Sequence, residues 1–264
     1  MMQLRIRMIL AAGLATLAAN ASTLRAGDEE LRQWSTIGAL LRGHYDGVVT
    51  LGEVLRAGDF GLGTLEALDG ELLIHEGRAW QIDARGAVHE PADSTPLPFV
   101  AVTRFEADVV FDVPAGLDLA GLQARVDAAR DSANYVYAVR VTGAFASVKT
   151  RSVPRQQKPY PPLADVVKTQ SLFNFADTRG LLVGFVCPSW AGGLNVPGHH
   201  YHFLTDARDG GGHVLGLVTG EGVRVELDLT PDFAMRLPVE AGFGALDLSG
   251  DRAAELHAVE SDRR

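Results

Sequence analysis

Residues 198–219 read GHHYHFLTDARDGGGHVLGLVT, and their spacing decides the architecture. Residues 199–205 and 213–219 carry strand patterns, and the connection 206–212, with its three consecutive glycines, is of hairpin length. Successive side chains of a strand point to opposite faces, so His200 and His202 share a face one pleat apart while His199 lies on the other. The returning strand opens on His213, which delivers a third imidazole from next door. Three neutral nitrogens with no cysteine suit a divalent ion, zinc first, and leave a coordination position open for water or another ligand. Manganese, iron or nickel also fit such a donor set. Alternating histidines also occur simply as the polar face of a half-buried strand; the glycine turn and the third histidine favour a metal. His44, His75, His89 and His257 are scattered and read as surface or core residues.

Working outward, strands are expected at 180–186 and 223–229, with a C-terminal helix over 252–259. Near the start, Asp28-Glu29-Glu30 followed by Leu31, Trp34, Ile37, Leu40 and Leu41 has cap chemistry and helical spacing, which predicts a helix ending near Gly43. Strands and tight turns follow at 47–50, 72–74, 79–82 and 99–113, punctuated by Gly61-Leu62-Gly63, Asp69-Gly70 and Arg85-Gly86. Leu119, Leu122, Val126 and Ala129 recur at helical spacing and predict a helix over 118–131. Period-two patterning then predicts a long strand over 135–148. Residues 151–162 hold four prolines and three cations, which discourages pairing and marks the expected inter-domain crossing. A short helix is expected at 163–169. The class is α+β, with few helices and two domains, 28–155 and 156–264, each built on a mixed β-sheet and the second carrying the histidines.

Composition narrows the partners. A net charge of −9 with no basic stripe repels a phosphate backbone, which argues against nucleic acid. Arg5 and Arg7 precede an apolar run over residues 8–19, and Ala19-Asn20-Ala21 has the small-x-small form of a cleavage site. Residues 1–21 therefore read as a signal peptide, which predicts export to the periplasm or beyond; without it the chain is cytoplasmic. The run is too short to span a bilayer as a helix, so no stable membrane association is expected after processing. The single Cys187 precludes an internal disulfide and reads as a packed thiol. Gly61-x-Gly63 lacks the further Gly or Lys of a nucleotide loop, and Pro188-Ser189-Trp190 lacks the glycines of a serine elbow.

Four separated motifs resemble the acetolactate decarboxylase family. They are Gly58-Asp59-Phe60-Gly61-Leu62-Gly63-Thr64 with Leu68-Asp69-Gly70-Glu71, the run Pro-Leu-Pro-Phe-Val-Ala-Val over 96–102, the Arg151 to Pro162 segment, and Gly198-x-His200-x-His202-Phe203 with Gly211-Gly212-His213. Together they extend over about 34–260. The resemblance implies a metal, zinc or another divalent transition ion, held by His200, His202 and His213. It further implies an arginine at Arg151, a glutamate at Glu71, a hydroxyl at Thr64 and a C-terminal glutamate at Glu260, with Glu255 as the alternative. Two α/β domains and a homodimer are also implied.

The implied reaction is decarboxylation of a small 2-hydroxy-3-keto acid, 2-acetolactate, to acetoin. Losing carbon dioxide leaves an electron pair that needs a sink, and an ion at the ketone and hydroxyl oxygens stabilises the enediolate. Arg151 suits the departing carboxylate or the hydroxyl oxygen, and Glu71 the return of a proton. Two other readings stand beside it. A cupin-like dioxygenase or isomerase also starts from His-x-His, but expects a Glu soon afterwards where this chain has Asp206. A secreted metal-binding protein without catalysis is the other.

Overall fold

The computed structural model describes residues 29–260, so the expected leader lies outside the described residues. In chain order its strands are β1 Glu30–Trp34, β2 Val49–Thr50, β3 Phe60–Thr64, β4 Glu71–His75, β5 Arg78–Ile82, β6 Val88–His89, β7 Pro96–Leu97, β8 Phe99–Thr103, β9 Val109–Val113 and β10 Val136–Ser152. There follow β11 Ser171–Cys187, β12 Gly198–Thr205, β13 Gly211–Thr219, β14 Val223–Thr230 and β15 Asp232–Arg236. The α-helices are α1 Ile37–Leu41, α2 Leu51–Ala57, α3 Leu119–Ala129, α4 Leu163–Val166, α5 Ala241–Gly244 and α6 Ala253–Glu260. The α+β class with few helices is what the strand-rich sequence predicts.

Two sheets form the body. The first has seven strands in the order β15-β1-β8-β3-β4-β5-β6, the second six in the order β11-β12-β13-β10-β14-β9, and a further β11–β10 pairing closes part of the second sheet on itself. Mixed pairing is confined to the first sheet, where β15 runs parallel to β1; the named pairings of the second are all antiparallel. Leu62, Leu73 and Trp80 of the first sheet pack against Ala138, Val183 and Phe185 of the second. On its far side the first sheet buries Leu51 and Val54 of α2, and the second buries Leu122 and Val126 of α3. The order of layers is helix, sheet, sheet, helix. Each fully buried Leu or Phe in these layers contributes roughly 1.5–3 kcal/mol. At one end α1, α4 and α6 join through Leu40, Val166, Leu256 and Val259.

Three expectations are corrected. The first helix does not run from residue 28 to Gly43: residues 30–34 are a strand, Ser35 turns the chain at φ 63°, and Thr36 caps the five-residue α1 through its side chain. Leu31 and Trp34 satisfy helical spacing, yet β1 pairs on both edges and buries these two residues on opposite faces while Arg32 stays exposed, and those tertiary hydrogen bonds override the local pattern. Nor do the sheets divide the chain at 155/156. β9 and β10 belong to the histidine-bearing sheet and β15 to the other, so the chain crosses between sheets at 104–108 and again at residue 231. The expected crossing at 151–162 instead links β10, through α4, to β11 of the same sheet, with Arg151 and Ser152 still paired in β10.

One buried acid sets a pH dependence. Asp228 of β14 is fully buried with no partner for Oδ1, and Oδ2 accepts only a 3.4 Å bond from the Glu106 backbone. Burial above all, with Asp108, Glu29 and Glu106 nearby, pushes its carboxyl up to about 8. The unfolded value is about 3.9, so the native state holds an extra proton between the two values and stability falls as pH rises from about 4 to about 8. Asp228→Asn is expected to flatten that decline and to raise Tm by several degrees at pH 8.5 while leaving it nearly unchanged at pH 4. Equal pH slopes in scanning calorimetry of the two proteins would refute this.

Candidate metal centre and active site

Cross-strand register builds the site. Leu172 of β11, Arg151 of β10, His213 of β13 and His202 of β12 are successive direct partners, one rung across four strands. Direct partners share a face, so Arg151, His213 and His202 stand side by side, and His200 joins them one pleat away. A bulge in the β10–β13 pairing between Lys149 and Thr150 precedes this rung. Gly212, at φ +126°, lies against the Arg151 carbonyl, where any Cβ would collide, so His213 can follow directly on the close strand approach only because its predecessor is glycine.

The first sheet supplies the opposite wall. Thr64 and Glu71 are partners at the adjoining ends of β3 and β4. Gly70, at φ +84°, makes the turn that starts β4 on Glu71, and its carbonyl accepts from Thr64 Oγ1 at 2.7 Å. α6 closes the end and places its last residue, Glu260, over the histidines. The three histidines with Thr64, Glu71, Arg151 and Glu260 surround an inner chamber of about 40 Å³. An outer cleft of about 740 Å³, with apolar walls such as Ile37, Leu119 and Leu256, reaches His200, His213 and Glu260 from solvent.

All three imidazoles are buried, and each has one ligand atom within 4.8 Å of those of the other two. Burial pulls His200 down to about 3 with Arg151 adding to the effect, and it holds His202 and His213 well below the usual histidine range. All are therefore neutral at pH 7, the form that binds metal. Two tautomers are set by backbone carbonyls, which can only accept. His202 Nδ1 donates to Leu72 O at 2.8 Å and His213 Nε2 to Glu260 O at 3.3 Å, which leaves lone pairs on His202 Nε2 and His213 Nδ1. A metal-ligating histidine is commonly held this way. His213 Nδ1 lies 3.2 Å from His200 Nε2, so these nitrogens converge.

The carboxylates complete the picture. Burial lifts Glu71 to about 7, opposed by Arg151 and assisted by Glu260; burial raises Glu260 as well, again opposed by Arg151. Glu71 Oε2 is 3.4 Å from His202 Nε2, but with His202 held neutral this is two groups facing one spot rather than an ion pair. Glu260 Oε2 stands 3.7 Å from His200 and 3.6 Å from His213, while Oε1 is 3.9 Å from Arg151 Nη2. His200 Nδ1, Arg151 Nε and Glu260 Oε2 are all buried without a partner. Buried polar groups are nearly always satisfied, so three orphans around one chamber fit a polar guest, and the neutral imidazole set fits a divalent ion.

The family model for alpha-acetolactate decarboxylase matches residues 31–250. The chain belongs to this family. An alpha-acetolactate decarboxylase of Methanosarcina mazei is 44% identical over 230 residues, covering 87% of this chain and 80% of the relative. Another, from Methylococcus capsulatus, is 43% identical over 234 residues, with 89% and 90% covered. The crystal structure of alpha-acetolactate decarboxylase from Bacillus subtilis strain 168 superposes with a TM-score of 0.86 at 35% identity, covering 88% of this chain and 100% of that one. The match of this chain to the alpha-acetolactate decarboxylase model stops short of α6, so the choice between its two glutamates rests on geometry. Glu255 binds Arg252 at 2.9 Å and does not line the chamber, whereas Glu260 does. His199 lies on the other strand face, bonded to the Tyr201 hydroxyl and Asp127. Cys187 is buried, with burial pushing its thiol up to about 12. The Leu72 and Val259 carbonyls and the Gln170 side chain also hold site residues, and no motif in the sequence points to any of the three.

Proposed function

We propose that this protein decarboxylates 2-acetolactate to acetoin in a metal-dependent reaction, with zinc or another divalent transition ion held by His200, His202 and His213. The observation that carries the reading is the convergence of three neutral imidazoles, two raised carboxyl groups and one arginine on a single small chamber beneath an open cleft. A divalent ion held by His200, His202 and His213 would supply the positive charge that makes the electron pair left by carbon dioxide tolerable as an enediolate.

The protein's own groups do the rest. Arg151 Nη1 is committed to protein acceptors, so its Nε and Nη2 hydrogens form the edge that takes the substrate carboxylate side-on. As the bond between C2 and the carboxyl carbon breaks, the pair passes into the neighbouring carbonyl and a proton must return to carbon. Glu71, desolvated and close to neutral in its proton affinity, holds that proton on one wall of the chamber. Glu260, on the opposite wall, takes the substrate hydroxyl or a second proton transfer. Thr64 Oγ1 spends its proton on Gly70 O and keeps only lone pairs for a guest.

Export of the protein and a homodimer complete the proposal, testable by cell fractionation and by light scattering. For the reaction itself, purified protein given 2-acetolactate is expected to release carbon dioxide and acetoin in equal amounts. A chelator should reduce turnover at least a hundredfold, and added Zn²⁺ should restore it, in line with a contribution of several kcal/mol from the ion. Stoichiometric metal without acetoin would instead favour the binding-protein reading, and chelator-insensitive turnover would remove the metal from the account.

A further inference from the structure

Arg151 needs orienting, because a buried guanidinium offers five donors and only one edge can meet a carboxylate side-on. Among the described residues, both hydrogen bonds of the side chain fall on Nη1: 2.6 Å to the Val259 carbonyl at the end of α6, and 3.3 Å to Gln170 Oε1. Nη2 has only Glu260 Oε1, at 3.9 Å, and Nε has no partner. Two acceptors on one nitrogen pin the plane of the group and leave the Nε–Nη2 edge free.

The register explains why Gln170 can do this. Arg151 pairs with Leu172, so the residue two positions earlier is its diagonal neighbour on the same face, and Gln170 is extended at φ −59°, ψ 146° as it enters β11. Its chemistry matters as much as its place. An amide oxygen accepts from the guanidinium without cancelling its charge, which stays available to the guest. We propose that Gln170 is a positioning residue that, as an uncharged acceptor on Nη1, turns the Nε–Nη2 edge of Arg151 toward the carboxylate of a 2-hydroxy acid in the inner chamber. The assignment rests on the decarboxylase reading for its substrate, but it can be tested by binding alone.

Gln170→Met keeps the length and removes the acceptor; Gln170→Glu keeps the acceptor and adds a charge. Calorimetric titration would use two unreactive probes, 2-hydroxy-2-methylpropanoate, which carries the carboxylate, and acetoin, which does not. Both variants are expected to bind the acid about tenfold more weakly and acetoin within twofold of wild type, with unchanged metal content and Tm. In turnover, KM should rise about tenfold while kcat changes by less than threefold. A purely structural role predicts that Glu restores wild-type behaviour, and that result, or an unchanged acid affinity in the Met variant, overturns the proposal. If wild type binds the acid but makes no acetoin, the reaction reading fails while the binding series still decides the role of Gln170.

Discussion

His200→Ala is expected to yield a folded protein that holds no divalent ion and has lost at least about a thousandfold in kcat/KM, a several-kcal/mol effect of the size expected when a developing negative charge loses its stabiliser. Among the three histidines this one gives the cleanest test. His202 and His213 each donate to a backbone carbonyl, Leu72 O and Glu260 O, so truncating either strands a buried acceptor or loosens α6 and mixes folding with chemistry. His200 makes no such bond: its Nδ1 is unpartnered and its Nε2 faces His213. Its ring also borders the outer cleft, where water can fill the space left behind. Metal analysis, circular dichroism and the acetoin assay should therefore separate, with the first and third lost and the second unchanged. A variant that keeps stoichiometric metal and turnover would show that the ion, if any, sits elsewhere.

What could be read in the sequence divides along physical lines. His200 and His202 were legible because a strand fixes the side of every second residue, and His213 because the glycine run announces a reversal. The α3 helix was legible for a similarly local reason, since Asp118 caps it through Gly121 N at 2.8 Å and Leu122 and Val126 bury one stripe. Residues 30–34 look helical because the two apolar residues of this short strand, Leu31 and Trp34, are three positions apart and buried on opposite faces, which leaves no alternation to separate it from a helix. β15 carries no such signal because it is half-exposed and, among the described residues, pairs only with β1, about two hundred positions away in the chain. Sheet membership of β9 and β10 likewise depends on partners distant in sequence. At the site, Glu71, Arg151 and Glu260 came from resemblance to a family, because an isolated acid or cation carries no periodic signal. The carbonyls of Leu72 and Val259 have no sequence signature at all, and Gln170 becomes visible only once Leu172 is known to face Arg151.

Glu71→Gln is expected to leave metal content and fold intact while lowering kcat by about a hundred- to ten-thousandfold, the range lost when a positioned proton donor is removed. The substitution is nearly isosteric at a position that is 8% exposed and bounded by His202 and the Gly70 turn, so packing should not change. What it removes is exchangeable acidity. A glutamine amide can still donate a hydrogen bond into the chamber, but it cannot give up a proton to a carbanionic carbon and recover it. Substrate binding should move little, since the carboxylate is assigned to Arg151 across the chamber, and KM is expected to stay within about threefold. The partner variant Glu260→Gln serves as the comparison. Glu260 contacts His200, His213 and Arg151 together, so its loss should shift metal affinity and KM as well as kcat. If Glu71→Gln keeps a kcat within tenfold of wild type and Glu260→Gln does not, the two carboxylates have exchanged roles, and the proton returns to the substrate from the helical side of the chamber rather than from β4.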